Sequence, residues 1–323
     1  MSQPRCHSKS TLETPASNRS SSRTSIDASL ADEKHYTPLS LAASNGHSSI
    51  VSALLTHAAA RPHTPIDLTS LLRSAAQRDH VATVSQLLAY ADESPDVGPS
   101  ASSSMAASLL ADIAGTGYTA VVELLLSRPD VDPNGVGTGI MCPLATAAWR
   151  GNHGIMWALL NQEGTCADRR DGHGRTPLHW AVNGQQNLAM KMLMYREEVD
   201  VNARDNLGVS ALAMAAGNGQ LAVVKMLAEW EGIDINVRCD RGMTPLMEAA
   251  AGRHVAVIEL LMQYEGLDVN AHDRRRRTAL TCAAEAGCGR EVAALLTRGN
   301  VDVNVECYDF MTLAGVGVRE QDW

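Results

Sequence analysis

Six positions at a fixed spacing of 34 residues constrain this chain more than anything in its composition: Cys142, Thr176, Ser210, Thr244, Thr278 and Thr312. After each of the first five the same grammar returns. A Thr-Pro-Leu-like opening leads to a pair of small residues, a glycine near the ninth place, and an apolar-rich stretch at helical spacing. Thr176–Met194, TPLHWAVNGQQNLAMKMLM, shows it most completely. A period of this size with two helices inside it predicts a solenoid, whose units pack only on their neighbours.

Each recurring residue has a physical task. The Thr hydroxyl caps the first helix, and Pro fits the first turn, where a missing N–H costs nothing. The Leu points into the core, and the alanine pair lets two helices approach closely. Glycine supplies the left-handed turn that ends the first helix. Val/Ile followed by Leu-Leu forms the buried stripe of the second helix. Asp-Val-Asn or Asp-Ile-Asn between units (Asp200–Asn202, Asp234–Asn236, Asp268–Asn270, Asp302–Asn304) favours turn geometry at a hairpin base.

Read on this grid, residues 1–30 form a Ser/Thr-rich tail too poor in apolar residues to order itself. An array follows over 31–323, with units starting near 36, 69, 107, 141, 175, 209, 243 and 277 and a truncated one near 311. In the second unit Ser70 stands for the threonine and Asp79 for the glycine. The third begins at Ser108, and a lengthened, flexible loop is expected over 92–104, which is rich in Pro, Ser and Gly. In the fifth and seventh units the glycine falls one place early (Gly184, Gly252), leaving Gln185 and Arg253 at the usual site. In the eighth, Arg276 replaces the hairpin glycine and Glu291 the first Val/Ile. Looser packing is expected at these departures.

Together, T-P-L-H, A-A-x-x-G-H, V-V-x-x-L-L and D-V-N-A in one phase resemble the ankyrin repeat family over about residues 32–316. The resemblance implies an all-α solenoid of helix–turn–helix units joined by β-hairpin-like loops. It also implies that His179 is structural, bonding Thr176 and neighbouring backbone, and that proteins bind on a concave face of hairpin tips and first-helix flanks. Carried over position by position, the partner-binding candidates are Trp149, Arg150, His173, Arg175, Asn183, Asn206, Leu207, Asn218, Asp240, Arg241, Met243, Arg274, Arg275 and Arg277. Trp149 either anchors a partner beside Arg150 or packs on the adjoining unit.

Composition narrows the function further. Aromatic residues make up 4% of the chain, with Phe310 its one phenylalanine, so alanine, leucine and valine must fill the interior. A net charge of −9 argues against a general nucleic-acid binder. The seven cysteines lack disulfide or zinc spacing and suit reduced thiols in the cytoplasm or nucleus. No apolar run is long enough to span a bilayer. No phosphate-cradling loop or nucleophile elbow appears, so no catalytic, metal or cofactor site is expected. The reading is a monomeric, non-enzymatic scaffold or adaptor for a protein partner. Its alternative is the recognition portion of a larger, C-terminally truncated receptor or enzyme, suggested by Leu313, Ala314, Val316 and Val318 trailing off without a polar cap.

Overall fold

A computed structural model describes residues 36–59, 66–94, 97–135 and 141–305. The expected tail over 1–30, the truncated unit near 311 and the uncapped C-terminal run lie outside them. Sixteen helices occupy the described residues, and no strand of a sheet does. They come as eight pairs: Pro38–Ser44 (α1) with Ser48–Ala59 (α2), Leu68–Ala76 (α3) with Val81–Glu93 (α4), Gly98–Ile113 (α5) with Thr119–Leu126 (α6), and Pro143–Arg150 (α7) with His153–Leu160 (α8). The series continues with Pro177–Asn183 (α9) and Asn187–Met194 (α10), Ala211–Gly217 (α11) and Leu221–Ala228 (α12), Pro245–Ala251 (α13) and Val255–Leu261 (α14), and Ala279–Glu285 (α15) and Gly289–Leu296 (α16). First helices pack on first helices (α7 on α9, α11 on α13, α13 on α15) and second on second, the arrangement of a solenoid.

The helix starts follow the capping logic. Thr37, Thr244 and Thr278 accept the backbone N–H three residues on, at 3.1, 3.4 and 3.3 Å. Cys142 does the same with its sulfur, at 3.4 Å from Ala145 N. The second unit differs from expectation: Asp67, not Ser70, caps α3, accepting the Ser70 N–H at 3.1 Å. The third differs more. Residues 98–104, expected as loop, form the first turns of α5, and Ser108 lies inside that helix. Pro99 sits where the first turn tolerates it, and Ala101, Ala106 and Ala107 favour helix strongly enough to outweigh the serines.

Alanine makes the close packing possible. Ala147, Ala148, Ala181, Ala215, Ala216, Ala249, Ala250 and Ala283 are wholly buried, with Leu159, Met190, Leu193, Val224, Leu227 and Leu261 completing a continuous core. Each buried Leu adds about 1.5–3 kcal/mol over leaving it in water.

Among the described residues, four non-glycine positions have positive φ, Asp79 (59°), Gln185 (55°), Arg253 (64°) and Arg276 (61°), all four where the sequence lacks the expected glycine. The expectation of looser packing does not hold at Gly184 and Gly252. A β-carbon on Gly184 would lie 2.1 Å from the Trp149 carbonyl oxygen, and one on Gly252 2.8 Å from that of Gly217. Glycine stands one place early because the preceding unit comes too close for a side chain. The left-handed turn is then left to Gln185 and Arg253, at a strain of roughly 1–2 kcal/mol each. Glu291 is buried at the stripe position that Val or Ile fills elsewhere.

His179 joins two units. Its Nδ1 accepts the Thr176 hydroxyl at 2.9 Å and the Thr176 N–H at 3.3 Å, which assigns the proton to Nε2, donated to Val209 O at 3.0 Å. Burial holds its pKa below the ordinary 6.5.

The interunit Asn residues do more than turn the chain. Asn202 Nδ2 donates to Gly232 O at 2.7 Å while its Oδ1 accepts Asp234 N–H at 2.8 Å. Asn134, Asn236 and Asn270 repeat both bonds, so an amide ladder runs along the stack.

Candidate partner-binding site

The fingers between units are organised by aspartates that sequence inspection passed over. Asp171, Asp205 and Asp273 each accept two backbone N–H groups, from the residues two and four places on, at 2.8–2.9 Å. Asp at 34-residue register two places before the variable tip was the available signal. In the seventh unit Cys239 holds that place, and its N–H donates to Met243 O at 2.9 Å.

Successive tips then bond to each other. The N–H groups of Asn206, Asp240 and Arg274 donate to the carbonyls of His173, Leu207 and Arg241 at 2.9, 2.9 and 3.0 Å. Six of the fourteen candidates thus lie along one continuous strip. Leu207 is 67% exposed on it, an apolar side chain with nothing covering it among the described residues. Gly208, with φ 74°, is required twice over: a β-carbon there would meet Asp240 N at 2.6 Å.

The first-helix flank supplies the second part. Trp149 in α7 meets Trp180 in α9 edge to face, centroids 6.2 Å apart and planes at 66°. The Arg150 guanidinium lies 4.3 Å from the Trp149 centroid, and that of Arg175 lies 5.4 Å from the Trp180 centroid. Trp180 Nε1 donates to Asp171 Oδ2 at 2.9 Å, fixing its ring against the finger base. Gly115 and Gly184 flank the pair. The Arg150 stem runs over the first at 3.6 Å from a would-be β-carbon, and the Trp149 main chain presses on the second. Arg150–Trp149–Trp180–Arg175 is therefore one line of stacked cation and ring across two units.

The remaining candidates divide by environment. Asn183 and Asn218 are exposed at the ends of α9 and α11. Arg274 and Arg275 are exposed at the last described tip. Arg175 and Arg277, at equivalent positions, face carboxylates: Arg175 Nε lies 3.7 Å from Asp205, beyond hydrogen-bond reach, and Arg277 binds Asp273 at 2.8 Å and Glu285 at 3.0 Å. Met243 is a correction. It is 4% exposed and belongs to the core, because an apolar side chain at this finger position packs onto the helices where Arg175 and Arg277 instead meet the buried carboxylates of Asp205 and Asp273. Arg150, by contrast, is exposed and forms no ion pair among the described residues.

The opposite helix layer carries Trp157, 65% exposed on α8, and Trp230, which meets Tyr195 edge-on at 4.9 Å. Burial pushes the Cys282 thiol up to about 12, and no group of three metal-ligating side chains occurs among the described residues. Nor does any described helix have the length and apolarity to cross a membrane.

Residues 105–205 and 212–307 match a family model described as ankyrin repeats in three copies, and residues 34–65 match the model for a single ankyrin repeat. No curated protein matches the chain.

Proposed function

The chain belongs to the ankyrin repeat family, and from that premise we propose that it is a non-enzymatic scaffold or adaptor binding a protein partner on the concave face. The observation that carries this reading is Arg150, stacked on Trp149 and exposed without an ion pair among the described residues. An ordered cation on a half-buried aromatic pair has little side-chain entropy left to lose on binding. It suits a partner segment that brings an anionic group to Arg150 and an apolar side chain to the Trp149–Trp180 edge. The tip strip, with Leu207, Arg241 and Arg274, extends that footprint. Recognition is by shape and charge, with no chemistry performed on the partner, and the chain acts as a monomer in the cytoplasm or nucleus.

Affinity purification with the wild-type chain and with the Trp149→Ala, Arg150→Ala double variant, compared by mass spectrometry, tests the reading. Proteins recovered by the wild type and lost by a variant of unchanged helical content support it. Identical recovery by both places the binding surface elsewhere.

A further inference from the structure

One rung of the interunit ladder is chemically different from the rest. The ladder position recurs every 34 residues, at 134, 168, 202, 236 and 270, and it is asparagine at all of these except Asp168. Each asparagine donates its amide to the carbonyl 30 residues on, at Gly164, Gly232, Gly266 and Asn300, over 2.7–2.8 Å. Asp168 keeps the accepting half of the rung, taking the Asp200 N–H on Oδ2 at 2.6 Å. Its Oδ1 is buried with no hydrogen-bond partner among the described residues. By the same 30-residue register that oxygen belongs opposite Glu198 O, so an ionised carboxylate sets acceptor against acceptor.

We propose that Asp168 is a proton-operated joint between the fourth and fifth units. With a proton on Oδ1 the carboxyl donates to the Glu198 carbonyl and the rung closes as an asparagine would close it. When the proton leaves to solvent, that half of the rung is lost and the joint loosens.

The surroundings favour the closed form. Removal from water pushes the Asp168 carboxyl above the ordinary carboxylate value of 3.8, and the carboxylates of Asp200 and Glu198 oppose a further negative charge. The Asp200 N–H on Oδ2 and Arg170 act the other way, the guanidinium of Arg170 being engaged with the backbone carbonyls of Gly174 and Arg204. The joint tightens as pH falls, opposite to the usual behaviour of a folded carboxylate. The same interface holds the Trp149–Trp180 contact, yet the inference stands independently of what binds there.

Hydrogen-exchange protection of the segments around 164–170 and 196–202 in the full chain, measured from pH 7.5 down to pH 4.5, tests this. Asp168→Asn supplies the missing donor permanently. It should raise protection at pH 7.5 by about five-fold, the worth of one hydrogen bond, with the gain shrinking as pH falls. Asn202→Asp moves the device one rung on. It should lower protection around Asp234 at pH 7.5 by a similar factor and regain it in acid. If Asp168→Asn leaves protection unchanged or lower at pH 7.5, or Asn202→Asp leaves its rung intact, the proposal is overturned.

Discussion

Gly184 lies against the main chain of Trp149 so closely that a β-carbon on it would stand 2.1 Å from the Trp149 carbonyl oxygen. That contact explains the displaced glycine. Gly184→Ala should therefore push α7 and α9 apart, at a cost of about 1–3 kcal/mol. Tryptophan fluorescence should change with it, because Trp149 and Trp180 separate. Denaturation midpoints and emission spectra of the variant check both.

Gln185 carries the left-handed turn that Gly184 gave up, at φ 55°. Gln185→Gly relieves that strain and should stabilise the chain by roughly 1 kcal/mol, less the entropy glycine adds to the unfolded state. A higher urea midpoint is the expected outcome. A lower urea midpoint would mean that the strain is smaller than the entropy glycine adds.

His179 makes stability depend on pH. Its folded-state pKa lies below the ordinary 6.5 because the ring is buried, with Arg175 and Arg170 nearby adding to the effect. The unfolded chain thus binds the extra proton. The contribution is complete above about pH 7 and is lost as pH falls through 6.5 toward the folded-state value. His179→Gln should lower the urea midpoint at pH 7.5 and flatten its decline between pH 7.5 and 5.5. An unchanged decline would assign the pH dependence to other groups.

Asn236 makes two interunit bonds of 2.8 Å, one as donor and one as acceptor. Asn236→Ala removes both, at about 1–3 kcal/mol. Because units couple to nearest neighbours, exchange protection should fall most in the sixth and seventh units. A uniform fall along the array would argue against local coupling.

Features repeated in every unit are legible in the sequence, and contacts between units are not. The 34-residue period was sufficient for the solenoid, since it repeats capping, packing and turn residues in one phase. Asp79, Gln185, Arg253 and Arg276 could be named as departures because each breaks a local rule, and each does take the left-handed backbone. What the period could not carry was contact between units. The reason for the early Gly184 is the Trp149 carbonyl 35 residues before it, and the ladder joins residues about 30 apart. Met243 and Leu207 read alike as variable tip residues, yet one is core and the other 67% exposed. The Pro-, Ser- and Gly-rich run before Ala106 read as loop from composition, although Pro99 stands at a helix start.

The proposed partner site rests on Arg150 and Trp149. Calorimetric titration of a recovered partner against wild type, Trp149→Ala/Arg150→Ala and, on the other helix layer, Trp157→Ala tests it most directly. Affinity should fall about ten-fold or more in the double variant, as for truncated hot-spot residues, and stay unchanged in Trp157→Ala. Full affinity in the double variant, or a loss confined to Trp157→Ala, would contradict it.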